Sequence, residues 1–244
     1  MNIKSRVLNL IKIDIQKSFI ENKYPLLLST LLFMIPLFLG YLFSSNLGEF
    51  LDPIIDNFKE KIINGGIKLT FDSIFINNFK AILFEYAGAI LFGLITVAIL
   101  IFNGLFIGYF ASKIDLKTFL LGTVPHGIFE IPGLIIGATA GFILLYFLFN
   151  FTKDILIYNK DPINNDPRTY KHFNEDHYND EYFKRYNEHF NAGISKRFSY
   201  SMDNNYKKLK QSIILFLIAT TLLIIAAVVE TQITVKIIHF FSLN

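Results

Sequence analysis

The chain has 244 residues, of which 52% are hydrophobic and 27 are phenylalanine. With a mean hydropathy of +0.43, this composition indicates a membrane protein. The net charge of +3 is small and spread over several loops, which argues against nucleic-acid binding. Because the chain has no cysteine, disulfides and thiolate metal sites are excluded.

Residues 1–23 are predicted to form an interfacial helix on the cytoplasmic surface. The segment is basic, and Leu8, Ile11, Ile15 and Phe19 recur at helical spacing. A cytosolic extension of the first membrane span is an equally good interpretation. The length and mixed charges of residues 1–23 differ from those of a cleavable signal peptide. The basic character of this segment predicts a cytoplasmic N-terminus.

Four long stretches carry at most one charged residue each, at 24–43, 81–112, 118–152 and 211–235. Because roughly 20 residues of helix cross a bilayer core about 30 Å thick, the first and last stretches each supply one span. The middle stretches are too long for one straight span, which predicts bent or re-entrant helices. The expected fold class is all-α, a polytopic helical membrane protein with about five transmembrane or re-entrant helices, some broken.

Polar segments divide the chain around these spans. The membrane bundle is expected over 24–151, with an outer amphipathic helix over 47–63. The acidic character of that helix argues against binding to anionic lipid and favours packing onto the protein. Residues 152–210 are predicted to be a polar cytoplasmic insert, because lysines cluster directly before the last span at 211–235. The histidines of the insert match no zinc-binding spacing, so no metal is predicted.

The most informative motif is Pro-His-Gly-Ile-Phe-Glu at 125–130. His126 and Glu130 lie four residues apart and therefore share one face of a helix. Pro125 suits the first turn of that helix, and Pro132 is expected to break or end it. Ionisable groups at membrane depth require protein or a water-filled cavity around them. The motif therefore predicts the position of a special site.

Other polar residues lie within the apolar stretches. Glu230 lies near the end of the last span, and Asn103 interrupts the second stretch. One interpretation is a polar cluster of His126, Glu130 and Glu230, joined by Asn103. The other is that each residue satisfies a helix end separately, and both interpretations stay open. Glu85 lies one turn inside its stretch and is expected to extend to the headgroup region.

Small residues at four-residue spacing predict close helix packing. Gly104 and Gly108 form one such pair, and Gly133, Gly137 and Gly141 form a Gly-x-x-x-Gly-x-x-x-Gly ridge. For the first pair, an unwound hinge that starts at the preceding asparagine is the alternative to a packing contact.

Several landmarks in order resemble the stage II sporulation protein M family over nearly the whole chain. They are Asn77-Asn78, Asn103-Gly104 with Gly108, the Pro125-His126-Gly127…Glu130 block, and Glu230 followed by Ile233-Thr234. Asn77 and Asn78 are also placed to cap the start of a helix. The block is the most specific match. The resemblance implies an integral membrane protein of several helices. In spore-forming bacteria such a protein works with cell-wall-degrading partners during engulfment, as a membrane component rather than the hydrolase.

The function predicted on these grounds is a non-enzymatic scaffold or assembly partner, multi-pass in the cell membrane. It would contact the lipid bilayer and a protein partner or a second copy, without a cofactor. The alternative is a transporter or permease-like unit in which Glu130 or Glu230 accepts a proton or cation. An intramembrane hydrolase is the weakest option, because the chain has no His-Glu-x-x-His pair and no recognisable nucleophile.

Overall fold

The computed structural model describes residues 3–64, 70–157 and 180–234, and every regular element in these ranges is helical. The helices are α1 Ile3–Ile20, α2 Lys23–Leu42, α3 Ser44–Ile63, α4 Phe71–Ala87, α5 Leu94–Lys113, α6 Leu116–Ile157 and α7 Asp180–Val229. Within the described ranges, five segments are long and apolar enough to cross a membrane: Lys23–Leu42, Phe71–Leu91, Leu94–Lys113, Leu116–Leu156 and Gly193–Gln232. The predicted all-helical membrane fold with five spans is confirmed.

The chain divides into two compact units, 1–145 with 210–244 and 146–209. In the second unit, the end of α6 packs against the part of α7 that precedes residue 210. Asn205 Nδ2 donates a hydrogen bond to Asp154 Oδ2 at 2.8 Å. Of the predicted insert, residues 158–179 lie outside the described part of the chain. The described remainder is helical, and α7 continues without interruption into the last span.

A sharp turn divides the second apolar stretch into two spans. After α4, a 3₁₀ turn at Gly88–Leu91 leads into Phe92 and Gly93, whose φ angles of 53° and 74° are left-handed. Glycine adopts this conformation readily, so the reversal falls here. Asn103 lies in the middle of the uninterrupted α5, where its Nδ2 donates to the Ile99 carbonyl oxygen at 3.0 Å. The alternative of an unwound hinge at this asparagine is therefore wrong.

The third apolar stretch is one continuous helix. α6 begins after Asp115, whose Oδ1 accepts a hydrogen bond from the Thr118 backbone N–H at 3.0 Å and whose pKa is lowered by its hydrogen bonds with Thr118. Pro125 and Pro132 both lie inside the helix, so the helix start expected at Pro125 and the break expected at Pro132 are both wrong. A proline removes one backbone donor and crowds the preceding turn, but packing against neighbouring helices preserves transmembrane helices that contain it.

Glycines on α5 bring its backbone against α2. A Cβ atom added at Gly104 would collide with the carbonyl oxygen of Phe33, and one added at Gly108 would collide with that of Leu37. Gly40 on α2 faces the Leu105 carbonyl oxygen in the same way. Only a residue without a side chain permits this approach, so the two helices form a tightly joined pair.

The glycine ridge of α6 lies at contacts with two other helices. A Cβ at Gly133 would lie 2.9 Å from Leu223 of α7, and one at Gly137 would lie 3.0 Å from Ile82 of α4. Gly141 faces the backbone of α4 one turn further along. The ridge therefore joins α6 to α4 and α7.

α1 is a separate helix, because the chain turns at Glu21 and Asn22 before α2 begins. The α1 helix is therefore not continuous with the helix of the first span, and the placement of residues 1–23 at the cytoplasmic interface stays a prediction. The turn that follows α1 is joined to the start of the last apolar stretch by hydrogen bonds. Asn22 Nδ2 donates to Gln211 Oε1 at 3.0 Å, and Gln211 Nε2 donates to Glu21 Oε2 at 2.7 Å.

Candidate functional site

His126, Glu130 and Glu230 lie together in the structure. His126 and Glu130 occupy successive turns of one α6 face, with Nε2 and Oε2 3.7 Å apart. Glu230 is the first residue of a π turn, Glu230–Thr234, that follows α7. One potential ligand atom from each of the three side chains lies within 4.8 Å of the others. The three residues therefore form one cluster and do not satisfy separate helix ends.

The cluster opens on a cavity of about 500 Å³ between α4, α5, α6 and the π turn. The side chains of His126 and Glu130 are 14% and 22% exposed, so both are largely enclosed by protein. α4 contributes Asn77, Asn78 and Lys80 to the cavity wall. An imidazole and two carboxylates in this setting can hold a cation between them or share protons.

Asn77 and Asn78 do not begin a helix. α4 starts earlier, at Phe71, and Thr70 is its N-cap, with the Ser73 backbone N–H donating to Thr70 Oγ1 at 3.5 Å. The two asparagines instead line the cavity from inside α4. The helix cap predicted at these asparagines is therefore wrong. The prediction took the start of the apolar stretch as the start of the helix, but α4 begins earlier, in the more polar segment before that stretch.

Lys80 is a cavity residue that the sequence interpretation missed. It directly precedes the second apolar stretch, 81–112, and lies three residues after Asn77, a spacing that places both on one face of α4. This spacing is the feature of the sequence that could have indicated Lys80 as a neighbour of the candidate site. Asn103, in contrast, is not a member of the cluster: its amide bonds within α5, and Phe106 is the α5 residue that lines the cavity.

Glu85 is buried in the bundle rather than extended to the surface. Its side chain is 0% exposed, and among the described residues neither carboxyl oxygen has a hydrogen-bond partner. A Cβ at Gly137 would lie 3.3 Å from Glu85 Oε2. The headgroup location expected for Glu85 is wrong, because the small ridge residues let α6 close over this face of α4.

Comparison with known proteins identifies the family. The model of the family described as stage II sporulation protein M matches residues 29–235. The chain belongs to this family. Its SpoIIM match includes the whole cluster and all five spans except the first residues of α2.

Two proteins of the archaeon Methanocaldococcus jannaschii are similar to this SpoIIM-family chain. Uncharacterized protein MJ0793 is 36% identical over 129 residues, which cover 51% of this chain and 70% of that protein. Uncharacterized protein MJ0706 is 30% identical over 151 residues, covering 58% and 69% respectively. No solved structure matches the chain.

Proposed function

We propose that this SpoIIM-family protein is a non-enzymatic membrane scaffold that binds a protein partner through α3. The observation that carries the proposal is the division of α3 into two faces. One face is fixed to the bundle, and the other presents acidic side chains and an exposed aromatic ring. A helix held in this way is a surface for assembly.

The inner face of α3 is anchored to α5. Leu51 and Ile55 are 2% and 7% exposed and pack with the fully buried Tyr109. Tyr109 Oη donates a hydrogen bond to Asp52 Oδ1 at 2.5 Å. Lys113 Nζ lies 3.8 Å from the same carboxylate oxygen and 4.8 Å from the centre of the Tyr109 ring. These contacts hold α3 in one orientation.

The outer face of α3 combines negative charge with one large apolar group. Glu49, Asp56 and Glu60 are exposed, and Phe50 is 67% exposed. An acidic surface is repelled by anionic lipid headgroups and is complementary to a basic protein surface. An exposed aromatic residue of this kind commonly serves as the anchor of an interface. The partner class that fits is a protein with a basic docking surface.

The proposal is tested by site-specific photo-crosslinking in native membranes. A benzophenone amino acid at position 50 is expected to give one discrete protein adduct. The combined substitutions Glu49→Lys, Asp56→Lys and Glu60→Lys are expected to abolish it. The matched control is the same amino acid at Leu217, which is 58% exposed on the last span and should give no such adduct.

Two results would contradict the scaffold. One is the absence of any adduct at position 50 from a protein that is monomeric in mild detergent. The other is an adduct that persists after charge reversal. An adduct with the mass of two copies would identify a homo-oligomer as the partner.

A second candidate function is a transporter or permease-like unit, favoured by the carboxylates of Glu130 and Glu230 beside a cavity within the spans. The glycine-mediated contact of α2 with α5 weighs against it, since alternating access requires helices to move. Flux into proteoliposomes that is lost in Glu130→Gln and kept in Glu85→Gln would support transport. Equal flux in both variants and wild type would argue against Glu130 as the acceptor.

A further inference from the structure

We propose that His126, Glu130 and Glu230 bind a divalent first-row transition-metal ion, of which Zn²⁺ is the test case. The proposal rests on the cluster geometry and does not depend on the assembly role of α3. The sequence alone predicted no metal here, because it shows only the His126–Glu130 pair. The third potential ligand comes from a turn one hundred residues later.

The spacing of the three groups suits an ion. Zn–N and Zn–O bonds of about 2.0–2.2 Å around a tetrahedral centre separate neighbouring ligand atoms by roughly 3.4 Å. His126 Nε2 and Glu130 Oε2 are 3.7 Å apart, and Glu230 contributes an atom within 4.8 Å of both. To hold a tetrahedral ion, the ligand atoms must approach one another from these distances to roughly 3.4 Å, which requires the flexible glutamate side chains to move.

The charge of the cluster also favours a dication. The carboxylates of Glu130 and Glu230 lie near each other, both partly buried, within the candidate spans, where unpaired charge is costly. A divalent ion neutralises both carboxylates at once and becomes the main charge of the site. Lys80 lines the same cavity, so its side chain adds positive charge at the cavity wall, which opposes the binding of a cation.

The donor set selects the class of metal. One imidazole nitrogen with two carboxylates is typical of zinc, iron and manganese sites, whereas calcium and magnesium prefer oxygen ligands alone. Three protein ligands leave coordination positions open toward the cavity, as in zinc sites that retain a water ligand. The amides of Asn77 and Asn78 in the cavity wall provide polar partners for such a ligand.

The test is metal titration of the full chain in detergent micelles after removal of metal by a chelator. Competition with a chromophoric indicator should give one tight Zn²⁺ site per chain and no comparable Mg²⁺ site. Glu130→Gln and Glu230→Gln should each weaken Zn²⁺ binding on the order of tenfold or more, as should His126→Gln. Glu85→Gln, a buried carboxyl outside the cluster, should bind Zn²⁺ as wild type does.

Lys80→Met keeps the test decisive if the ligand variants fail to fold. Removing the competing ammonium should tighten Zn²⁺ binding, a gain that a misfolded protein does not show. Equal Zn²⁺ affinity in wild type and all three ligand variants overturns the proposal. Unchanged or weaker binding in Lys80→Met overturns it as well.

Discussion

Glu85 has a carboxyl group enclosed by α4 and α6 without a hydrogen-bond partner among the described residues. Burying a polar group without a partner costs free energy. The residue lies seven positions after Asn78, so it occupies the same face of α4 about 10 Å further along the helix axis. Fully buried Ile82 lies between them. The acid is therefore separated from the candidate site by one apolar layer.

Replacing Glu85 with methionine is expected to stabilise the protein. Methionine fills a similar volume without an unpaired polar group, and the expected increase in the free energy of unfolding is about 1–3 kcal/mol. Thermal unfolding in detergent measures the change. The control is Glu49→Met on the exposed face of α3, for which a change within about 0.5 kcal/mol is expected. Marked destabilisation by Glu85→Met would reveal an essential partner for the carboxyl group.

Among the helices, the pair α2–α5 depends on glycine more directly than on large apolar side chains. A methyl group at Gly108 would collide with the backbone of α2 at Leu37, and backbone atoms cannot rotate away as side chains do. At Gly127 of α6, the same methyl group would meet only the side chains of Thr123 and Ile131, at 3.7 Å and 3.9 Å. The two glycines therefore form a matched comparison.

Gly108→Ala is expected to lower the free energy of unfolding by about 1–3 kcal/mol, because the helices must separate to admit the methyl group. Gly127→Ala should be neutral or stabilising by up to about 1 kcal/mol, because alanine is the better helix former. Denaturant unfolding in mixed micelles compares the two variants. Similar destabilisation by both would show that the close approach of α2 and α5 does not limit stability.

For the whole molecule, we expect all five candidate spans to cross the bilayer, which puts the segment before the first span and the end of the last span on opposite sides of the membrane. The chain has no native cysteine, so single introduced cysteines report their location without background. With the basic N-terminal segment in the cytoplasm, Lys117→Cys and Asn46→Cys are expected to react with an impermeant maleimide in intact cells. Ser5→Cys and Lys153→Cys should react only after permeabilisation. The reverse pattern would show an inverted orientation, and labelling of Lys117→Cys only after permeabilisation would contradict the five-span order.

The membrane class, the approximate number of spans and the shared face of His126 and Glu130 follow from hydropathy and helical spacing. These properties depend on residues within one segment, so the sequence by itself determines them. The glycine spacings likewise mark the surfaces at which helices can approach closely. The family-specific block around Pro125 also identified the neighbourhood of the candidate site.

Only the tertiary structure decided which distant residues meet. Packing of α4, α6 and α7 brings Glu230, in the turn that follows α7, to His126 and encloses Glu85. Neighbouring helices also allow α6 to continue through Pro132, although a local rule predicts a break. Contacts between segments separated by many residues depend on how whole helix faces fit together, which the periodicity of any single segment does not specify.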